Sequence, residues 1–595
     1  PERGFITDYF NDILTDNDRV FQVHLDLDQI EDFNNIVFKL KNILELSNNE
    51  LKEIYREKER LKPWDTLVVS DNLSWTQFSK LNLYLHELEG VKPVVSSSRF
   101  YPYKDDLVHV VGYVGAASQK DIERDDIIKE NLVPGLKVGK SGIEFAKEHQ
   151  LIGRHGIKRY EVNSSGKRIS QIDHIKETQG EKIKLTVDLE VQQLAQELLK
   201  GKAGSISAMD IYTGEIIAMA SSPTYDPNKF THGIGHKDWG EIRDDPLKPL
   251  VNKSIAGLYS PGSTFKPLVA LAALEFGTID PERPILCKGH KHPYELYGEK
   301  YHCWKKNGHG YMKLRNAIKQ SCDIYFYEMA RLLGVDRLAI IAKRYGLGSN
   351  ILKDLYFDEK KGVVPNTFWK KNAIGKSWYL GETVINGIGQ GYIQTTPLQL
   401  CLMTAQIANG GYKIKPHIIQ DESITYENVK LKIANQFINS SLNFSEEEED
   451  EQKYLVDREY RLYERLYKDP RNINFVKDAM FGSTNEQYGT SYKSRYDDIK
   501  YQYAGKTGTS QVKRITEEER KLDLDQSQIE YKNRDHALFV AFVPYKNPRY
   551  SISVLIEHGG SGSSAAAPLA RKLIKKIIDR HKLREQIKNG SSSLA

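Results

Sequence analysis

Ser263-Thr264-Phe265-Lys266 places a hydroxyl and an amine three residues apart at the head of an apolar stretch, PLVALAALEFG. Pro261-Gly262 precedes it, and Pro267 fits only the first turn of a helix, where backbone N–H groups lack intrahelical partners. The spacing therefore predicts a helix whose N-terminus carries Ser263, with Lys266 one turn on along the same face. That pair suits nucleophilic acyl transfer. A serine hydroxyl is a poor nucleophile until a base removes its proton, and the helix end offers N–H groups to a developing oxyanion. Lys266 is the expected base, provided its proton is loosely held. Burial under the helix and a second cation, Lys506, both push in that direction.

Two further elements complete the pattern. Ser321-Cys322-Asp323 supplies a hydroxyl to relay a proton to a leaving amine and a carboxylate to hold a lysine or the substrate backbone. Lys506-Thr507-Gly508-Thr509 reads as a strand edge with a fixed cation, and Lys506 and Thr507 are expected to bind a substrate carboxylate. The backbone N–H groups of Ser263 and Thr509 are the expected oxyanion hole. Ser164-Ser165-Gly166-Lys167, Lys140-Ser141-Gly142 and Ser70-Asp71-Asn72 repeat the single patterns, but out of order and without the right flanks.

Cys287, Cys303 and Cys322 fall within 36 residues of one another, with His309 between them. Three thiols and an imidazole are the ligand set of a closed, tetrahedral, structural zinc site. The spacers of 15, 5 and 12 residues do not form a zinc-finger pattern. A Cys287–Cys303 disulfide, unpaired cysteines with a surface histidine, and the alternative ligands His290, His292 and His302 stay open at this point.

Hydrophobic residues make up 39% and charged residues 28% of the 595 residues, the balance of a globular protein of two to four domains. The net charge of +5 and the lack of a concentrated basic tract argue against a nucleic-acid partner. The basic tail from Arg571 to Lys588 reads as an amphipathic terminal helix. The chain contains no run of 18 apolar residues. Four cysteines do not describe a disulfide scaffold.

Residues 1–181 mix charged helices, such as 49–62, with short strands and glycine-rich turns. From residue 182 the pattern changes to a strand, a helix capped by Asp188, and paired strands over 203–221. Strands over 537–544 and 550–557 and a last helix close the chain. Helices between strand sets distant in sequence predict an α+β domain over 182–588 whose sheet is closed by both ends. The charged stretch 421–469 reads as a surface insertion and 589–595 as a disordered tail.

In this order, the three elements are the signatures of active-site-serine enzymes that attack acyl-D-alanyl-D-alanine or β-lactam rings. The chain resembles a class B penicillin-binding protein, most closely the cell-elongation branch. Arg99-Phe100-Tyr101-Pro102, Gly139-Lys140-Ser141-Gly142-Ile143-Glu144 and Glu161-Val162-Asn163 resemble the family's non-catalytic pedestal. Gly381-Glu382-Thr383, Gly387-Ile388-Gly389-Gln390-Gly391 and His558-Gly559-Gly560-Ser561-Gly562-Ser563-Ser564 resemble its transpeptidase domain. Asp323 departs from the general S-x-N pattern as the elongation branch does, and the 421–469 insertion is atypical.

The resemblance implies an elongated pedestal, or dimerisation-type, domain over 1–181 and a serine β-lactamase-like transpeptidase domain over 182–588. It implies peptidoglycan stem peptides as substrate, β-lactams as inhibitors, and a membrane glycosyltransferase and a rod-complex scaffold protein as partners. Pro1-Glu2-Arg3-Gly4 with Ile6-Thr7-Asp8 resembles the stretch after a single inner-membrane anchor, which implies a periplasmic catalytic domain. The Tyr301–Gly310 segment resembles the place where some members bind zinc through Asp, Cys and His. A septal transpeptidase, a class D β-lactamase and a β-lactam sensor are the competing readings.

Overall fold

The computed structural model describes the chain except residues 63–64, 163–167, 291, 422, 425, 427–428, 430–431, 433–462, 514–527 and 589–595. Most of the expected 421–469 insertion and the expected disordered tail thus lie outside the described residues. Two compact units emerge. The first holds Pro1–Lys184 together with Tyr225–Asp245 and Asp354–Tyr356; the second holds Leu185–Thr224, Pro246–Lys353 and Phe357–Ala595. Two later excursions of the chain therefore belong to the first unit, which a single cut near residue 181 does not anticipate.

The first unit is built on strands β1 (Ile6–Thr7), β2 (Ile13–Asp26), β3 (Thr66–Leu73), β4 (Val91–Phe100) and β5 (Ile183–Lys184). β1 pairs antiparallel with β2 and parallel with β5, and β2 also pairs with β3 and β4. Helices α1 (Phe33–Leu44), α2 (Asn48–Lys58) and α3 (Trp75–Leu83) accompany this sheet, with Leu40, Leu44, Val23 and Leu25 in a shared core. The polar α2 begins in a Ser47/Glu50 capping box and buries only Ile54, as its composition requires. Three of the stretches that carry the resemblance meet in one buried ion network. Arg3 donates to Glu144 at 2.6 Å and to Glu148 at 2.7 Å, and Arg99 donates to Glu144 at 2.5 Å. Breaking one member leaves an uncompensated buried charge, which costs roughly 3–5 kcal/mol.

The second unit opens with α4 (Leu189–Leu199), whose cap Asp188 accepts from the Val191 N–H. Strands β6 (Gly204–Asp210) and β7 (Ile216–Ser222) follow. The nucleophile turn leads into α5 (Lys266–Glu275), then β8 (Ile285–Cys287), β9 (Gly310–Met312), α6 (Leu314–Lys319) and α7 (Asp323–Leu333). Next come α8 (Pro397–Ala408), α9 (Pro470–Asn485), β10 (Ala504–Ser510), β11 (His536–Val543), β12 (Tyr550–Ile556) and α10 (Ala567–Lys588). The sheet runs β7-β6-β12-β11-β10, all antiparallel. Both ends of the unit therefore meet in the middle of one sheet, as the distant strand sets imply.

Sheet residues Ile206, Ala208, Phe539 and Val554 share a core with Val191 of α4 and Leu573 and Ile577 of α10. On the other face small residues such as Ser207 and Ser551 admit the fully buried α8, whose Cys401 lies against both. This two-sided burial explains why the strands read as continuous apolar and small runs rather than alternating ones. Arg580 of α10 donates to Asp188 at 2.7 Å, tying the unit's last helix to its first.

Candidate active site

Ser263 lies in a short helical turn, Gly262–Phe265, that runs directly into α5, where Lys266 and Pro267 form the first turn. The crossing behind it demands glycine. Gly262 has φ +53° and donates to the Gly389 carbonyl at 2.9 Å, and a Cβ on Gly262 would stand 2.4 Å from the Thr509 carbonyl oxygen. Backbone from the Ser263 turn and from the Lys506–Thr509 element is thus in contact, which brings together the two segments expected to share an oxyanion hole. Gln390 donates to the Thr509 carbonyl at 3.0 Å and braces the same junction.

The buried Lys266 amine points toward the second element. It donates to Asp323 Oδ1 at 2.7 Å, to Ser321 Oγ at 3.1 Å and to the Ser321 carbonyl at 3.0 Å. Ser321 has φ +57°, left-handed backbone that a non-glycine residue adopts at a cost of about 1–3 kcal/mol. That conformation directs its hydroxyl and its carbonyl to the same lysine. Burial pushes the Asp323 carboxyl above its ordinary range, against the pull of Lys266.

Lys506 is fully buried on β10 and donates to the Thr507 carbonyl at 3.1 Å. Burial, then the nearby Lys266, holds its ammonium well below the usual lysine range. The Thr507 hydroxyl donates to the Thr490 hydroxyl at 2.8 Å, and Thr509 is half-buried one pleat further along the strand. Gly508 packs so closely on the nucleophile turn that a Cβ there would meet Thr264 Cγ2 at 2.7 Å. All eight residues of the expected catalytic set converge.

Cys287, Cys303, His309 and Cys322 converge as well, their ligand atoms all within 4.8 Å of one another. The three cysteines are buried free thiols, so the chain shows no disulfide between Cys287 and Cys303. His309 Nδ1 lies 3.6 Å from Cys287 Sγ and 3.5 Å from Cys303 Sγ. A tetrahedron with Zn–S of about 2.3 Å and Zn–N of about 2.0 Å has an S···N edge of about 3.5 Å. The donor set therefore fits zinc in chemistry, and its two S···N distances fit in spacing. Gly289 and Gly308, at φ +78° and +73°, let two turns cross here; a Cβ on Gly308 would sit 2.2 Å from the Cys287 carbonyl.

Two contributors escape the sequence patterns. Thr490 meets Thr507 from a loop after α9, with no local signal to mark it. Trp304 donates its backbone N–H to Asp323 Oδ2 and its indole N–H to the Ser321 carbonyl, both at 2.9 Å. Its position directly after Cys303 is the one clue in the sequence.

The sequence profile of the penicillin binding protein transpeptidase domain matches residues 204–575, and that of the penicillin-binding protein dimerisation domain matches residues 1–185. The chain belongs to the penicillin-binding protein transpeptidase family. Among its relatives, the peptidoglycan D,D-transpeptidase MrdA of Acinetobacter baumannii is 32% identical over 97% of this chain and 80% of that protein. MrdA of Escherichia coli K12 is 31% identical over 97% of this chain and 86% of that protein. Among solved structures, Helicobacter pylori PBP2 in complex with MreC superposes with a TM-score of 0.78 at 28% identity, covering 97% of each chain. Pseudomonas aeruginosa PBP2 in complex with WCK 5153 gives 0.66 at 29% identity, covering 97% of this chain and 96% of that one. Family membership joins the two expected domains in one penicillin-binding protein and excludes a single-domain β-lactamase.

Proposed function

We propose that the protein is a peptidoglycan D,D-transpeptidase that cross-links stem peptides through a Ser263 acyl-enzyme during cell elongation. The observation that carries this reading is the contact of Lys266 with both Ser321 and Asp323, one turn after a half-exposed serine at a helix start. Ser263 gives its proton to Lys266 and attacks the carbonyl carbon of the penultimate D-Ala. Backbone N–H groups of Ser263 and Thr509 receive the oxyanion. As the C–N bond breaks, Lys266 returns the proton through Ser321 Oγ to the departing D-Ala amine. An amine of a neighbouring stem then attacks the ester, and Ser263 recovers its proton by the reverse relay.

Thr507 and Thr509 offer hydroxyls to the terminal carboxylate at the strand edge, with the fully buried Lys506 of the same strand behind them. β-Lactams enter the first step and stop at the acyl-enzyme. Cys287, Cys303, His309 and Cys322 would hold zinc as a structural ion. When bound, it would brace the turns that present Trp304 and Ser321.

The same reading puts the enzyme at the inner membrane with its catalytic unit in the periplasm, where stem peptides are exposed. Among the described residues no helix is long and apolar enough to cross a membrane. A glycosyltransferase that makes the glycan is the expected partner, and so is a scaffold protein of the kind named with the H. pylori relative. Intact-mass measurement after incubation with a penicillin tests the function. One adduct per chain, mapped to the Ser263 peptide and absent from Ser263→Ala, is expected. An adduct on the alanine variant would overturn the assignment.

A further inference from the structure

We infer that Trp304 is a positioning residue for acylation, coupling the cysteine–histidine cluster to the proton relay through its two N–H groups. The inference rests on the transpeptidase reading of the same site.

The argument begins with Ser321. Its left-handed backbone turns the carbonyl toward the interior, where one oxygen accepts two bonds, from Lys266 Nζ at 3.0 Å and from the Trp304 indole at 2.9 Å. Asp323 is divided in the same way. One carboxylate oxygen takes Lys266 at 2.7 Å, and the other takes the Trp304 backbone N–H at 2.9 Å. Trp304 therefore touches both residues that hold the lysine. With Trp304 and Lys266 as fixed donors, neither Ser321 nor Asp323 can rotate without losing a bond.

Packing does not account for a tryptophan here. The side chain is 57% exposed, whereas large aromatic residues kept for hydrophobic burial are mostly covered. What is tied down is the polar end. The indole offers a donor only, and it reaches the main-chain carbonyl of a strained residue. On its other side Trp304 follows Cys303 and stands edge-on to His309, ring centroids 5.5 Å apart. The cluster thus fixes where the Trp304 backbone sits, and Trp304 passes that position to Ser321 and Asp323. Misplacing relay groups by a fraction of an ångström is enough to slow proton transfer.

The test separates the donor from the ring. Trp304 is replaced site-specifically by 3-benzothienylalanine, which keeps the bicyclic shape and puts sulfur in place of N–H. In parallel, 5-fluorotryptophan keeps the N–H. Stopped-flow acylation by a chromogenic cephalosporin resolves the non-covalent dissociation constant from the acylation rate constant. The sulfur isostere is expected to acylate at least tenfold more slowly, with the dissociation constant within twofold of wild type and with zinc content and melting temperature unchanged. The fluorinated variant should restore the rate to within threefold.

A sulfur isostere that acylates within twofold of wild type would overturn the inference. So would an isostere that loses zinc or melts several degrees lower, because the residue would then be a structural support. A wild-type protein that is not acylated at all would bring down the transpeptidase reading, and this inference with it.

Discussion

Lys266 Nζ and Asp323 Oδ1 stand 2.7 Å apart with the lysine side chain fully buried, so the proposed base is held by a carboxylate rather than left among apolar groups. The pairing has a direct consequence. Lys266→Arg still offers a donor to Asp323 but cannot give up its proton to act as a base. Acylation by penicillin should fall at least 10³-fold, measured as adduct formation against time. Near-normal labelling would remove Lys266 from the role of base.

Asp323→Asn discriminates the two sides of the same carboxylate. The amide oxygen can still accept from Lys266, but its NH₂ then faces the Trp304 N–H, donor against donor. Leaving a buried donor unpaired costs about 1–3 kcal/mol. The variant should melt lower and acylate more slowly than wild type, although asparagine is the commoner residue in the general pattern. A thermal scan with acylation kinetics checks both.

Acid stability should depend on His536. Its Nδ1 accepts the His558 N–H at 3.0 Å, and its ring lies 5.5 Å from Tyr259 and 4.8 Å from His558. Burial, then His558, lowers its pKa from 6.5 to about 4. The unfolded chain therefore binds more protons between those values, and stability rises with pH across the window. Falling from pH 6.5 to pH 4, this one group withdraws on the order of 2–3 kcal/mol. His536→Gln keeps an acceptor for the His558 N–H, and the drop in melting temperature between pH 7 and pH 4.5 should shrink. An unchanged drop would exclude His536 as a source of acid sensitivity.

Lys477 shows the same physics on the alkaline side. Its amine donates to the Ala408 carbonyl at 2.8 Å, and burial lowers its pKa to about 8. Between about pH 8 and 10.5 the unfolded chain holds more protons, so stability rises with pH there; below that window the cost of the buried charge is fully present. Lys477→Met should stabilise the protein at pH 7.5 by on the order of 1 kcal/mol, after allowance for partial exposure and the lost hydrogen bond. The gain should vanish near pH 10.

What could be read from the sequence was what local chemistry fixes. Asp188 caps α4, Pro267 stands in a first turn, and the strands that close the sheet carry continuous apolar runs. Ser263, Ser321 and Lys506 were recognisable because each sits in a short, ordered pattern. The partners of those patterns were not legible, because contacts made across long loops leave no periodic trace. Thr490 reaches Thr507 from 17 residues away, and Trp304 meets both Ser321 and Asp323 from the loop that carries Cys303. The same reason hides the excursions Tyr225–Asp245 and Asp354–Tyr356, which leave the second unit's sequence and fold in the first. Only packing assigns them.

Metal removal tests the remaining proposal. Zinc bound by Cys287, Cys303, His309 and Cys322 would link β8, the loop before β9 and the start of α7, and so constrain a closed loop of 36 residues from Cys287 to Cys322. Losing a structural zinc exposes three buried thiols and releases that loop. Protein purified without chelator should carry close to one zinc per chain by elemental analysis. Cys322→Ser should lose the metal, and the melting temperature should fall in the variant and in chelator-treated wild type alike. Because Ser321 and Asp323 flank Cys322, acylation should slow in both before global unfolding sets in. Readdition of zinc should rescue the chelated protein and leave Cys322→Ser unchanged. A metal-free protein that acylates at full rate, or one with a Cys287–Cys303 disulfide by peptide mass mapping, would refute the site.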